Sequence, residues 1–352
     1  MYELMPDSEV FARALESFSQ RLISDTLELL GRAEYHGAHP DNCAAYRWCC
    51  WMLTGRFEEA WRESDEIARR GGPDPYRFWD GLPFWNKRVI IRCLHGFGDA
   101  IQFIRYAPLV RSQASRVIVQ THPELLSVMR AVPGVDEVIT WPDENRATWD
   151  QQIELMELPR AFRTTLDTIP CEIPYVRLTP EQKLRSRIRA RRNGRPRIGL
   201  QWGSGTWNID RSLRLTELRP LLGLPEFEYY SFQRGEQRNE LRSLESYQIQ
   251  DVSGEAPDIL EAAADLLNID LLISADTMLA HLAGALGKQV WVLLPFESDW
   301  RWMLERRDSP WYPTMRLFRQ PARGDWASAV LQACAELQSA AEPAGGFRPD
   351  QG

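Results

Sequence analysis

Two regimes of hydrophobic spacing follow one another along the chain. Up to about residue 73 no segment alternates apolar and polar positions as a strand does. SEVFARALESFSQRLISDTLELLGRA, NCAAYRWCCWML and RFEEAWRESDEIARR space their apolar residues as helices do, and TGRF joins the last two. Gly55, Phe57 and Ala60 follow the spacing of the turn and second helix of a tetratricopeptide repeat, in which the glycine ends one helix and the small alanine lets the next pack closely. One such unit falls short of the roughly three that an array needs. The segment is therefore expected to be a helical cap on the next domain, with a partner-binding arm as the alternative. GGPDPYRFWDGLPFW (71–85) is rich in glycine, proline and aromatic rings and reads as a linker, bounded at 74–86.

Beyond the linker the period changes. KRVIIRCL (87–94), RVIVQTH (116–122) and VDEVITW (135–141) read as strands, separated by the helices IQFIRYAPLVRSQA and PELLSVMRAV; the first helix has apolar positions at Ile101, Ile104, Ala107, Leu109 and Val110. A basic, polar stretch (184–196) follows, read as a solvated interdomain helix. A second series then supplies strands at 196–204, 226–233, 247–254, 269–276 and 289–295, with TELRPLLGL, EQRNELRSLES, DILEAAADLLN and TMLAHLAGALG as the intervening helices. Alternating strands and helices predict an α/β protein with two parallel sheets. The expected domains are the cap (1–73), a first doubly wound domain (87–190), a second (195–325), a final helix (326–341) and a tail (342–352).

Composition narrows the chemistry. With 352 residues the chain is long enough for two or three domains, and 44% hydrophobic with 26% charged residues is ordinary for a globular protein. The net charge of -7 argues against a nucleic-acid partner, because a phosphate backbone favours a basic surface. No apolar run approaches the roughly 20 residues of a membrane span, and MYELMPDSEV has neither the basic nor the apolar region of a secretory signal. The six cysteines form no CxxC pair, which fits reduced thiols and an expected cytoplasmic location rather than a disulfide framework or a zinc site.

Ligands of doubly wound folds sit outside the carboxyl ends of the strands, so the strand-to-helix junctions are the candidate site. After the strand ending at Asp276, Thr277 and Met278 open a helix that carries His281 on the face of Thr277. A helix N-terminus favours phosphate, to which Thr277 and His281 would add donors. The plainer alternative is Asp276 as a helix N-cap and His281 as a core histidine. LAGALG keeps this helix small where it packs on the sheet. After the first strand, HGFGDAIQF offers Gly96 and Gly98, able to take positive φ and admit a ligand, and Asp99, a carboxylate able to take a proton from a hydroxyl. Its alternative is again an N-cap. After the first strand of the second series, QWGSGTWNIDRS places Ser204 and Arg211, with Arg214 just beyond, on a glycine-rich loop suited to clamping a diphosphate, or else on a plain surface loop.

GFGDAIQF, GLQW with a following DRS, and DTMLAHLAGALGK together resemble the heptosyltransferase-like glycosyltransferases of GT-B fold, in particular the branch with tetratricopeptide repeats ahead of the transferase. DWRW (299–302), SPWYP (309–313) and RLFRQ (316–320) also resemble that branch. The resemblance implies two facing Rossmann-like domains and an inverting, metal-independent transfer of a sugar from a nucleotide-diphosphate donor, such as ADP-heptose, with no resident cofactor. It implies Asp99 as the general base. It places the donor against Gly98, Gln102, Ser204, Arg211, Asp276, Thr277, Met278 and His281, with Gln233 near the base of the nucleotide. Met278 stands where the family usually has glycine, and arginines stand where its loop commonly has a lysine. A non-catalytic sugar-nucleotide-binding or scaffold protein and a sugar-nucleotide epimerase are the other readings. The acceptor is left open as a glycan, a small molecule or a protein, and a protein partner on the cap is a further expectation.

Overall fold

The structure, a computed structural model, describes residues 9–71, 77–188, 194–205, 208–254 and 258–341. It divides into a helical unit and an α/β unit. The predicted tail (342–352) lies outside the described residues.

The helical unit holds α1 (Glu9–Ser19), α2 (Ile23–Tyr35), α3 (Pro40–Leu53) and α4 (Phe57–Arg70). The single long helix expected over the first segment is two. Arg21 takes a left-handed φ of 61°, which stops α1, and its guanidinium donates to the Ser298 carbonyl at 3.0 Å. Pro40 opens α3, where its missing N–H costs nothing, and Gly55 (φ 74°) turns the chain into α4. Gly71, also left-handed, ends α4. Phe11, Ala14, Leu30, Ala33 and Cys43 form the core of this unit. The unit also takes in residues 159–169 and 297–306, beyond the expected 1–73. Trp61 Nε1 donates to the Thr164 carbonyl at 2.7 Å, and Arg160 and Arg163 share Asp65 at 2.9 and 2.7 Å. In the DWRW stretch Trp300 lies edge-on to Trp48 at 5.3 Å, and Trp302 is fully buried.

The α/β unit contains two all-parallel sheets. The first comprises β1 (Arg88–Arg92), β2 (Arg116–Gln120), β3 (Glu137–Ile139) and β4 (Gln151–Glu154), in the order β3-β2-β1-β4. Its helices are α5 (Phe97–Phe103), α6 (Ala107–Gln113) and α7 (Leu126–Arg130); α8 (Leu158–Ala161) opens the stretch 159–169 that belongs to the helical unit, and the short α9 (Pro180–Lys183) follows it along the chain. The helix predicted from Ile101 is broken into α5, a 3₁₀ turn and α6, with Pro108 in the first turn of α6, and Leu109 faces solvent. The second sheet comprises β5 (Arg197–Gln201), β6 (Glu228–Ser231), β7 (Gln250–Asp251), β8 (Leu271–Ala275), β9 (Gln289–Leu294) and β10 (Met315–Arg319), in the order β10-β9-β8-β5-β6-β7. Its helices are α10 (Arg219–Leu222), α11 (Ile259–Leu266), α12 (Met278–Ala285) and α13 (Trp326–Ala341); EQRNELRSLES is a kinked 3₁₀ run. β4 and β10 add to the expected strands. Near-continuous burial along β1, β5, β8 and β9 is what a parallel sheet covered on both faces requires.

The strand orders set the site. Each sheet grows outward from its first strand and then jumps to that strand's other side. The first switch point therefore lies between β1 and β4, and the second between β5 and β8.

Candidate functional site

At the second switch point β5 and β8 run in register, with Gln201 opposite Ser274. The chain leaves β8 through Asp276, and Thr277 occupies the N-cap of α12. Asp276 is thus one residue too early to cap the helix. Thr277 does not cap it either: its Oγ1 donates to Gln201 Oε1 at 3.0 Å and lies 3.2 Å from Ser274 Oγ, tying the mouth of β8 to that of β5. Asp276 is 3% exposed and faces two cationic or donor groups. Arg211 Nη1 lies 3.5 Å from Oδ2, and His281 Nε2 lies 3.8 Å from Oδ1. His281, likewise 3% exposed, meets the Tyr312 hydroxyl with Nδ1 at 3.0 Å.

Ser204 holds its own loop together. Its hydroxyl donates to the Asn208 carbonyl at 2.9 Å and lies 3.0 Å from Ser212 Oγ, which also accepts from the Ser204 N–H. This closes the loop so that Arg211 returns toward Asp276.

At the first switch point Gly96 caps α5 and Asp99 is its third residue. The Gly96 N–H donates to Asp99 Oδ2 at 3.1 Å, so the carboxylate satisfies a helix-end donor and is oriented by it. Gly96 and Gly98 do not use positive φ, contrary to expectation. Gly98 serves a close approach of a different kind. A Cβ there would lie 2.9 Å from His281 Cδ2 and 3.7 Å from the Met278 backbone, so α5 rests directly on the first turn of α12. Gln102, on the same helix, is fully buried. Asp276, with Arg211 and His281 beside it, and Gly98 against His281 bring the loop after β5, the helix after β8 and the helix after β1 to one place.

Beside it lies a small cavity, lined among others by Gln201, Phe232, Arg234, Ser253 and Met278. Arg234 is held below the usual arginine range by burial and then by the neighbouring Arg187 charge. Arg187 itself is committed to the buried Asp265, at 2.6 and 2.9 Å.

No protein-family model matches the chain. Protein FlbA of Caulobacter vibrioides is 23% identical over 328 residues, 82% of this chain and 53% of FlbA, so the chain spans about half the length of that relative. Among solved structures, the family 9 glycosyl transferase from Veillonella parvula superposes with a TM-score of 0.53 at 12% identity, covering 68% of this chain and 87% of that one. The E. coli ADP-heptose LPS heptosyltransferase II gives 0.50 at 13% identity, covering 72% and 98%. The chain has the GT-B fold. At these identities the likeness is one of fold.

Gln233, expected near the base of the nucleotide, follows β6. Its amide is 2% exposed and used by backbone: Oε1 accepts from the N–H groups of Trp202 and Gly203, and Nε2 donates to the carbonyls of Gly203 and Arg234. It braces the loop after β5, while its neighbours Phe232 and Arg234 line the cavity. Sequence reasoning also missed Gln201, Tyr312 and Glu154. Gln201 was readable as the last residue of a strand at a switch point. Glu154 ends β4 beside β1, is 1% exposed, and is pushed up to about 8 by burial, with His95 Nε2 3.7 Å away. No helix among the described residues is long and apolar enough to cross a membrane.

Proposed function

We propose that this chain is an inverting glycosyltransferase that takes a nucleotide-diphosphate sugar as donor. The observation that carries the reading is the convergence of Arg211, His281 and the N-terminus of α12 on one point beside a cavity lined by Arg234. A diphosphate there meets a guanidinium able to bond two oxygens, an imidazole and the positive end of a helix. In this reading the nucleoside lies against Phe232, Arg234 and Met278. Met278 takes space in the cavity wall that a glycine would leave empty. Asp276 holds Arg211 and His281 at their stations.

Asp99, oriented by the Gly96 N–H, acts as the general base. It takes the proton of the acceptor hydroxyl as that oxygen attacks the anomeric carbon. The bond from that carbon to the diphosphate oxygen breaks, the nucleoside diphosphate leaves, and the configuration inverts. In this reading the negative charge that develops on the leaving group falls to Arg211, His281 and the helix end, with no metal step. ADP-heptose, the donor in the name of heptosyltransferase II, is the first donor to try.

Calorimetric titration with nucleoside mono- and diphosphates tests the donor site. The diphosphate is expected to bind clearly more tightly than the monophosphate. Thr277→Ala should weaken the diphosphate about tenfold, because it frees the β5–β8 bridge beneath the site. Equal affinity for the two nucleotides would remove the reading. The use of the Asp99 carboxylate as a helix cap favours one alternative, a protein that binds the donor without transferring it. In that case Asp99→Asn would leave binding intact, and no nucleotide would be released with any acceptor.

A further inference from the structure

His281 sits in a slot whose other walls belong to no proposed ligand contact. Tyr312 and Tyr175 form a buried ladder behind it. Tyr312 is 0% and Tyr175 6% exposed, and their hydroxyls lie 3.4 Å apart. Below them is Arg105, 3% exposed, whose guanidinium lies 4.3 Å from the centre of the Tyr312 ring and 4.8 Å from that of Tyr175. Arg105 donates to Tyr175 Oη at 3.0 Å, to the Gln102 carbonyl at 2.7 Å and to the Trp311 carbonyl. A buried cation satisfied by carbonyls and ring faces is an unusual thing to build into a core, where charge is costly.

The direction of the protons follows from this arrangement. Arginine only donates, so Tyr175 Oη receives from below. The Tyr175 proton goes to the Ile101 carbonyl at 3.0 Å in preference to Tyr312 Oη at 3.4 Å. The Tyr312 hydroxyl has the nitrogen of His281 at 3.0 Å, and a guanidinium against its ring withdraws density and makes the phenol a better donor. A proton from Tyr312 on Nδ1 leaves the other nitrogen, the one that faces Asp276, as N–H. α12 is shaped for this contact. A Cβ on Gly284 would lie 2.5 Å from Tyr312 Cδ1, so the tyrosine ring reaches His281 only because residue 284 has no side chain.

We propose that Tyr312 is a positioning residue that donates to Nδ1 of His281 and holds the imidazole as its Nε2–H tautomer, with Tyr175 and Arg105 orienting the phenol. The inference deepens the donor-site reading, because an Nε2–H turned to the Asp276 side is a neutral hydrogen-bond donor for a diphosphate oxygen. The tautomer itself is a property of the protein alone.

The test is nitrogen-15 NMR of histidine-labelled, ligand-free protein at pH 8. The chain has five histidines, and His281→Gln assigns the His281 signals by difference. Wild-type His281 is expected to show a protonated Nε2 and a bare Nδ1; a proton on Nδ1 overturns the proposal whatever any variant does. Tyr312→Phe keeps the ring and removes the proton, so it should convert His281 to a tautomer mixture and weaken nucleoside diphosphate binding about tenfold. An unchanged His281 spectrum in a folded Tyr312→Phe protein also overturns it. With the wild-type tautomer as stated but no nucleotide bound, the donor-site reading fails and the positioning role stands.

Discussion

Gly98→Ala offers a one-methyl perturbation at the junction of the two switch points. The added Cβ would lie 2.9 Å from His281 Cδ2 and 3.5 Å from its Nε2. Carbon atoms in contact settle at about 3.5–4.0 Å, so roughly 0.6 Å or more has to open between α5 and α12. The imidazole has no room to retreat, since it is 3% exposed and held by Tyr312 at 3.0 Å on its far side. Overpacking of this kind costs about 1–3 kcal/mol, which for a domain of this size lowers the melting temperature by several degrees. The functional effect should exceed the stability effect. Asp99 rides on α5 and the donor groups ride on α12, and a misplacement on the order of 1 Å can lower turnover about 10²-fold. Diphosphate affinity should fall less, because Arg211 and Thr277 are not displaced. The control is Gly31→Ala, in the middle of α2, where a Cβ meets nothing within 4 Å; it should stabilise by about 0.5–1 kcal/mol through helix propensity and leave turnover unchanged. Thermal denaturation and nucleotide-release assays on the three proteins decide the matter. A Gly98→Ala protein that melts with wild type and turns over at the wild-type rate would refute the packing argument.

Two further outcomes follow from burial. The folded protein keeps the Glu154 proton up to about pH 8, while the unfolded chain loses it near the ordinary carboxylate value; the folded state thus binds more protons between these limits. Stability should therefore fall as pH rises through that window and level off above it, by on the order of a few kcal/mol. Glu154→Gln, which mimics the protonated acid, should flatten the profile, and an unchanged slope between pH 5 and 8 would count against the burial argument. Among the cysteines Cys171 is exposed, whereas burial pushes the thiols of Cys50 and Cys93 up to about 12 and that of Cys49 to about 11. Mass spectrometry after brief alkylation of native protein at neutral pH should find Cys171 labelled first, and early labelling of Cys93 would contradict the structure.

The parts of the fold legible in the sequence are those whose burial is local and continuous. β1, β2, β5, β8 and β9 are apolar runs covered on both faces, and their spacing with helices announces the parallel sheets. β4 carries one apolar residue in QQIE. It is a strand because of its partner: it pairs with β1 in register, and Asp150 just before it clasps Arg88 at 2.7 Å. β7, two residues long, is the part of the strand expected over 247–254 that pairs with β6. The break at Arg21 carries neither glycine nor proline, and the residues that complete the helical unit come from 159–169 and 297–306, too far along the chain for any local pattern. The strand-end junctions were legible because topology alone places them. The hydrogen bonds within them were not. Gln233 and Phe232 alternate across one strand end, and which of the two faces the cavity depends on the backbone of the loop after β5.

The glycines of the two motifs show what the sequence pattern concealed. Gly98 reads as a ligand-approach glycine, and Gly284, in LAGALG, as room for the helix to lie on its sheet. Each instead opens one side of the slot around His281. Gly98 admits the ring edge against α5, and Gly284, one turn along α12 from His281, admits the Tyr312 ring beside Met315 of β10. A core histidine that only filled space would still need a partner for Nδ1, but not an arginine packed against that partner's ring. Replacing Arg105, Tyr175 and Tyr312 by apolar side chains of similar volume would spare the burial of a charge, which is often neutral or favourable for stability. The cost of retaining the ladder makes sense if the state of the imidazole matters more than the last increment of stability.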